Sequence, residues 1–393
     1  MNTNWNHYSE FNASAQMRKY WMLNDEIVFL NHGSFGATPI EVLQQQQDLR
    51  AQMEHQPVDF FVRQLPQLIR TAAAELADFL GANANDLAFV ENATAGINAV
   101  LRSYPWKVGD ELLMANHAYP AVKNTAYFVA RQFGIRVREF EVPFPLQGGD
   151  EIVQAFSQAI NQNTRIALID HISSPLAMIY PLEKILALCR THGIKTLVDG
   201  AHAPGMLPVN LNLMHADWYV GNCHKWLFAA KGCAFLWAAP GAHDFLQPPV
   251  ISVEAGANFP KNFDWVGTRD VSAWLSIGAA IDFYQTIGGS AIPAKLHDFS
   301  IAMAKQLAED WQVEIPASPE MFGAMVTLPV PVKGEFSQET ANQWRDALWY
   351  DKQIEVPFFA INGRLWLRIS AQVYNRITDY QRLSAAIRQK VSS

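Results

Sequence analysis

The chain has 393 residues, half of them hydrophobic and 17% charged, so it can bury a large core and divide into two or three domains. Its 30 Lys and Arg are scattered against 37 Asp and Glu, a net charge of −7 that excludes a basic nucleic-acid footprint. Three cysteines, Cys189, Cys223 and Cys233, cannot build a disulfide framework and have no zinc-ligand spacing around them, which predicts a cytoplasmic protein without a metal.

The polar stretch from Met1 to Gln16 lacks the apolar run of a signal peptide, and later apolar runs are strand-sized, so no membrane partner is expected. Strands are predicted at Leu87–Val90, Glu111–Ala115, Arg136–Glu141, Arg165–His171, Lys195–Asp199, Trp218–Gly221 and Ala234–Ala238. Between them lie helical stretches at Gly96–Leu101, Tyr119–Phe133 and Pro181–His192, the last closed by Gly193. This alternation predicts an α/β fold with a large, mostly parallel sheet. Beyond about residue 275 the pattern changes. Helices at Ile292–Asp310 and Ser337–Ala347 and strands at Ala324–Pro329, Ile354–Phe359 and Arg364–Ile369 predict a smaller α+β unit. The expected division is 25–275 for the large domain and 1–24 with 276–393 for the small one. The boundary is placed near Ala273–Phe283, inside a long helix.

Three local patterns carry chemistry. Thr94 stands in Glu91-Asn92-Ala93-Thr94-Ala95-Gly96-Ile97-Asn98, where small residues open a helix after a strand. Backbone N–H groups at such an opening can approach a phosphate, although Thr and Asn open many helices that bind nothing. Asp199, in Val198-Asp199-Gly200-Ala201-His202, ends an apolar strand where open α/β sheets bind ligands; it can equally cap the next helix. Lys225 follows the strand-like Asp217–Val220 in Gly221-Asn222-Cys223-His224-Lys225-Trp226. Burial there favours the neutral amine that a Schiff base requires, while a surface lysine at a strand end fits the segment equally well. The lysine and aspartate together suit pyridoxal 5′-phosphate, whose ring nitrogen needs a carboxylate partner. No GxGxxG or Walker A motif points to a nucleotide.

These segments, with Asn31-His32-Gly33-Ser34-Phe35-Gly36, Asp170-His171-Ile172-Ser173-Ser174-Pro175, Gly267-Thr268-Arg269-Asp270 and Leu367-Arg368-Ile369-Ser370, come in the order found in class V aminotransferase-fold proteins. The set resembles the isopenicillin N epimerase-like branch and spans nearly the whole chain. The resemblance implies the pyridoxal-phosphate-dependent transferase fold, with a seven-stranded large domain and an amino-acid-like substrate. It implies that Lys225 carries the cofactor and moves the α-proton, that Asp199 pairs with the ring nitrogen, and that His202 and His171 touch the ring oxygen. His117 would stack on the ring and serve as a second catalytic group, with Tyr119 the alternative. Ala93, Thr94 and Ala95, with Asn222 and His224, would hold the phosphate, and Thr268 would reach the phosphate of a neighbouring subunit in a homodimer. Arg368 would hold the substrate carboxylate, a task that suits the guanidinium fork, and His32 is a further substrate-side candidate. Asn222 and Cys223 replace the Ser and Gly of many relatives, and Ala93 replaces a hydroxyl residue, leaving one phosphate donor fewer.

Several reactions fit. Epimerisation needs groups on both faces of the α-carbon, Lys225 and His117 or Tyr119. Carbon–sulfur β-elimination needs only Lys225. Transamination leaves no signature, and a homologue that binds the cofactor without using it is the non-enzymatic alternative. A cysteine desulfurase needs a loop cysteine before the carboxylate-binding arginine, and Ala234–Ser393 contains none.

Overall fold

The computed structural model describes residues 16–392. After the short strand β1 (Val28–Phe29) come β2 (Leu87–Val90), β3 (Glu111–Ala115), β4 (Arg136–Phe140), β5 (Thr164–Asp170), β6 (Lys195–Asp199), β7 (Trp218–Asn222) and β8 (Ala234–Ala238). The last seven form one sheet in the order β2-β8-β7-β6-β5-β3-β4. From β7 to β4 every neighbouring pair is parallel, and β8 runs antiparallel to both β2 and β7. The inner strands read as largely apolar runs because both faces are covered, while the edge strand β4, Arg136–Phe140, mixes charged and apolar residues. Leu112, Met114, Ile166, Leu168, Leu197 and Val220 point into one core with the helices Ala93–Ser103 and Pro120–Phe133. Leu113, Ala115, Ala167, Ile169, Val198 and Tyr219 alternate with them and join the core on the other face. Gly96 lets the helix Ala93–Ser103 lie close on the sheet, since a Cβ there would sit 2.6 Å from Val220 Cγ1.

The helices expected from apolar spacing are present, with ends set by local chemistry, and Ile40–His55 and Leu65–Phe79 are two further helices that the sequence reading did not name. Ser337 caps Gln338–Lys352 through a bond from the Thr340 N–H to its Oγ, 3.2 Å. Gly193 takes a left-handed φ of +66° just past Leu182–Thr191. The helix expected across Ala273–Phe283 is broken into Ser272–Leu275 and Ile277–Thr286. At the break Ser276 leaves helical geometry (ψ 9°), its Oγ turned back onto the Ala273 carbonyl.

A three-stranded antiparallel sheet follows, built from β9 (Met325–Pro329) and, after the short β10 (Ile354–Glu355), β11 (Phe358–Ile361) and β12 (Arg364–Ser370), in the order β11-β12-β9. The single strand expected over Ile354–Phe359 is two, because Pro357 lacks the N–H a ladder needs. Its first piece, β10, pairs in parallel with β1 instead. Asn362 and Gly363, both at positive φ, make the two-residue turn between β11 and β12. The packing expected of residues 1–24 is described only in part, since residues 1–15 lie outside the described residues. Trp21 meets Phe228, Phe283 and Tyr374 edge-on or tilted, and its indole N–H bonds the Ala37 carbonyl.

Candidate active site

Parallel strands aim their carboxyl ends, and whatever follows them, at one edge of the sheet. There the ends of β5, β6 and β7 meet a cavity of about 670 Å³ lined by Asp170, Asp199, Ala201, His202, Asn222, His224 and Lys225. Ala93, Thr94, Tyr119, Ser34, Phe35 and Ser174 complete much of its wall.

Lys225 sits on the turn that follows β7. The turn is pinned by the Cys223 and His224 amides, which share the Cys233 carbonyl at 3.0 and 3.1 Å. Gly36, at φ +70°, packs so closely on the His224 and Lys225 backbone that a Cβ there would collide with it. The Lys225 carbonyl is bonded by His32 Nε2 at 2.9 Å, and its Nζ lies 3.3 Å from His202 Nε2. Burial, and then the Arg368 charge, push the Lys225 amine down to about 7 against the pull of Asp199. No acidic side chain forms an ion pair with it among the described residues.

Asp199 ends β6 with its Oδ1 accepting the Ala201 N–H at 3.0 Å. Burial raises its pKa, opposed by that bond and by the Lys225 charge. His202 is held neutral by burial and by the Lys225 and Arg368 charges. Asp170, the last residue of β5, is directly beside Asp199 across the ladder. The sequence reading gave it no role, although the cue was the one used for Asp199: an aspartate at the carboxyl end of an apolar parallel strand.

At the other end of the cavity, the helix Ala93–Ser103 points its N-terminus inward with no acid in its first turn. Asn222 Oδ1 accepts the Ala93 N–H at 2.8 Å, and the Asn92 side chain caps the Ala95 N–H at 2.9 Å. Asn222 therefore ties β7 to the helix opening, while His224 is fixed by Nδ1 on the Cys233 carbonyl at 2.9 Å. Ala95 lines a neighbouring cavity and not this one.

Besides Ala95 and Arg368, four candidates do not line the cavity. His117 does not line the cavity; from its turn the lining side chain is Tyr119, which caps Pro120–Phe133 and is 46% exposed. His171 is turned behind the wall, its Nδ1 bonded to the Tyr219 hydroxyl at 2.8 Å, and burial lowers it to about 4. His32 is fully buried, both nitrogens engaged by Tyr374 (2.7 Å) and Lys225; burial drives it to about 3, and Ser34 and Phe35 are the residues of its turn that reach the cavity. Thr268 is exposed and outside the cavity.

Arg368, on β12, is 2% exposed and does not line the cavity. One guanidinium N–H group donates to the Ser174 carbonyl and another to Asn31 Oδ1 at 3.4 Å, while Nε has no partner. Burial lowers it to about 10. It is a buried cation with no carboxylate partner among the described residues, behind Ser174 of the wall.

The architecture is that of a solved cystine C–S lyase in complex with its product cysteine persulfide, at a TM-score of 0.79 and 20% identity over 92% of this chain and 97% of that one. The chain belongs to the class-V aminotransferase family, whose profile matches residues 28–339. It is 32% identical to an isopenicillin N epimerase of Amycolatopsis lactamdurans over 398 residues, 96% of this chain and 98% of that protein. It is 30% identical to an L-cysteine desulfhydrase of Arabidopsis thaliana over 396 residues, 92% and 87% of the two chains.

Proposed function

We propose that this protein is a pyridoxal-phosphate-dependent enzyme that removes the α-proton of an amino acid and cleaves its Cβ–S bond. The observation that carries it is one cavity that holds Lys225, a buried amine brought down to about 7, with Asp199 and a helix N-terminus, while the buried Arg368 guanidinium, with no carboxylate partner among the described residues, lies behind its wall. The residues present fit the cofactor: a near-neutral amine to bind its aldehyde, a carboxylate for its ring nitrogen, and the Thr94 amide and hydroxyl at a helix N-terminus for its phosphate. When bound, the cofactor supplies the electron sink that makes an α-proton removable.

The chain's own groups do the rest. Arg368 orients the substrate through its carboxylate, with Ser174 and Asn31 holding the guanidinium in place. Lys225 Nζ takes the proton from Cα, a task suited to an amine that is about half neutral at pH 7. His202, uncharged beside that amine, would hold the cofactor's ring oxygen without competing for the proton. Elimination needs no second acid, and none of the histidines around the cavity is charged at neutral pH. The four cofactor contacts assigned to Ala93, Asn222, His224 and Thr94 belong to this reading.

Epimerisation is the second reading, favoured by the position of Tyr119 on the wall, where a phenol can serve the face opposite Lys225. Incubation with L-cysteine and L-cystine in deuterated water decides. Pyruvate and sulfide establish the lyase; deuterium at Cα with inversion and an intact side chain establishes the epimerase, and Tyr119→Phe should then abolish inversion. Neither product from a broad amino-acid panel would reject both.

We also read the enzyme as a cytoplasmic homodimer divided near residue 275. Phe35, 74% exposed at the cavity mouth, and Thr268, exposed outside it, are what a second copy would cover and contribute. The three free cysteines favour the cytoplasm. Sedimentation equilibrium tests the dimer, and Thr268→Ala in a dimer should weaken cofactor affinity.

A further inference from the structure

Two carboxyls share the floor of the cavity. Asp170 and Asp199 are register partners at the ends of the parallel strands β5 and β6, so their Cα atoms are about 4.8 Å apart and their side chains leave the same face. Both line the cavity and both are buried, 2% and 5% exposed. Their surroundings differ. Asp199 accepts the Ala201 N–H and feels the Lys225 charge. Asp170 has burial and the Asp199 charge against its ionisation, with only its own backbone amide in favour, and its Oδ2 is buried without a partner. The other groups facing the pair bring no compensating charge: His171 and His202 are neutral, and burial keeps the phenols of Tyr180 and Tyr219 protonated.

We propose that Asp170 and Asp199 work as one proton-sharing unit of net charge −1, in which Asp170 keeps the proton on Oδ2 and donates it to Asp199. This unit, and not Asp199 alone, is the partner of the cofactor's ring nitrogen; that half of the inference rests on the cofactor reading above. Two adjacent carboxylates in a dry site cannot both ionise. The asymmetry of their contacts decides which one stays protonated, and the lone Oδ2 is the oxygen with nothing else to bond. A neighbouring O–H lowers the proton affinity of Asp199 while leaving its charge. The proton between Asp199 and the ring nitrogen then stays on the ring, where the electron sink requires it. Asp170 is thus a positioning residue for a proton.

Two substitutions separate this from a plain charge effect. Asp170→Asn keeps a donor and the net charge of the unit; Asp170→Leu removes the donor. With pyridoxal phosphate as the probe, Asp170→Asn is expected to leave the dissociation constant and the pH midpoint of the visible band within about threefold and a few tenths of a unit of wild type. Asp170→Leu is expected to weaken binding about tenfold or more and to move the midpoint, the loss of one hydrogen bond to a charged group. Equal damage from both, or none from Asp170→Leu, overturns the proposal. Infrared difference spectra of the wild-type apoprotein need no variant to fold. They should show a protonated carboxylic acid at neutral pH, and its absence overturns the shared proton; where Asp170→Asn folds, a band that survives it overturns the assignment to Asp170. A protein that shows the acid band yet binds no pyridoxal phosphate overturns the cofactor half and leaves the shared proton standing.

Discussion

The Lys225 amine offers the sharpest test, because an ordinary lysine and this one differ over a wide span of pH. Its pKa falls from 10.5 to about 7. At pH 7 an ordinary lysine has roughly one neutral amine in 3,000, while Lys225 has about half. Only the neutral amine attacks an aldehyde, so the apoprotein should react at Lys225 with a small aldehyde at a rate that rises through pH 7 and then levels. Initial rates, trapped by cyanoborohydride and read by peptide mass spectrometry, give the midpoint. The causes of the shift set the direction of two controls. Arg368 lowers the pKa, so Arg368→Met should move the midpoint up; Asp199 raises it, so Asp199→Asn should move it down. A rate that keeps climbing toward pH 10 would falsify the buried-amine argument. Shifts of opposite sign would show that the neighbouring charges act through some rearrangement and not directly.

Other outcomes follow from single contacts. Arg368→Lys loses the fork but not the charge, and kcat/KM for the amino acid should fall by about 30-fold or more while the cofactor's visible band persists; loss of the band with KM unchanged assigns the arginine elsewhere. Asn222→Ala frees the Ala93 N–H and should lower stability by about 1 kcal/mol and weaken cofactor binding several-fold, read by chemical denaturation and by titration. Gly96→Val would drive side-chain atoms into Val220 and should cost about 1–3 kcal/mol, seen as a lower Tm with far-ultraviolet dichroism retained below it. His171 titrates at about 4 when folded and at 6.5 as a free side chain, so the unfolded chain binds the extra proton between those values. Its contribution is present above 6.5 and is lost as pH falls toward 4. His171→Gln should therefore flatten the pH dependence of stability there by up to about 1.4 kcal/mol per pH unit relative to wild type.

How far the sequence could be read depended on whether the information was local. β2, β3, β6 and β8 fall on their expected residues because an apolar run between polar turns is a short-range signal. The strand split at Pro357 is also local in cause, and its proline was in plain view; what was not visible was that Ile354 and Glu355 pair with Val28 and Phe29, more than 300 residues away. The site divides the same way. Lys225, Asp199, His202, Asn222 and Thr94 line the cavity because strand ends and helix starts in a parallel sheet converge without further instruction. His32 and His171 belong to turns that do reach the cavity, but one side chain is taken by Tyr374 and the other by Tyr219, partners a linear reading cannot supply. His117 and Tyr119 are two positions apart, and a turn that ends in the Pro120 helix start presents only the second. The same logic explains why Asp170 was passed over. Its neighbour Asp199 is 29 positions on in the chain, yet adjacent strands bring the two side by side, so the chemistry of each aspartate is legible only once the other is placed next to it.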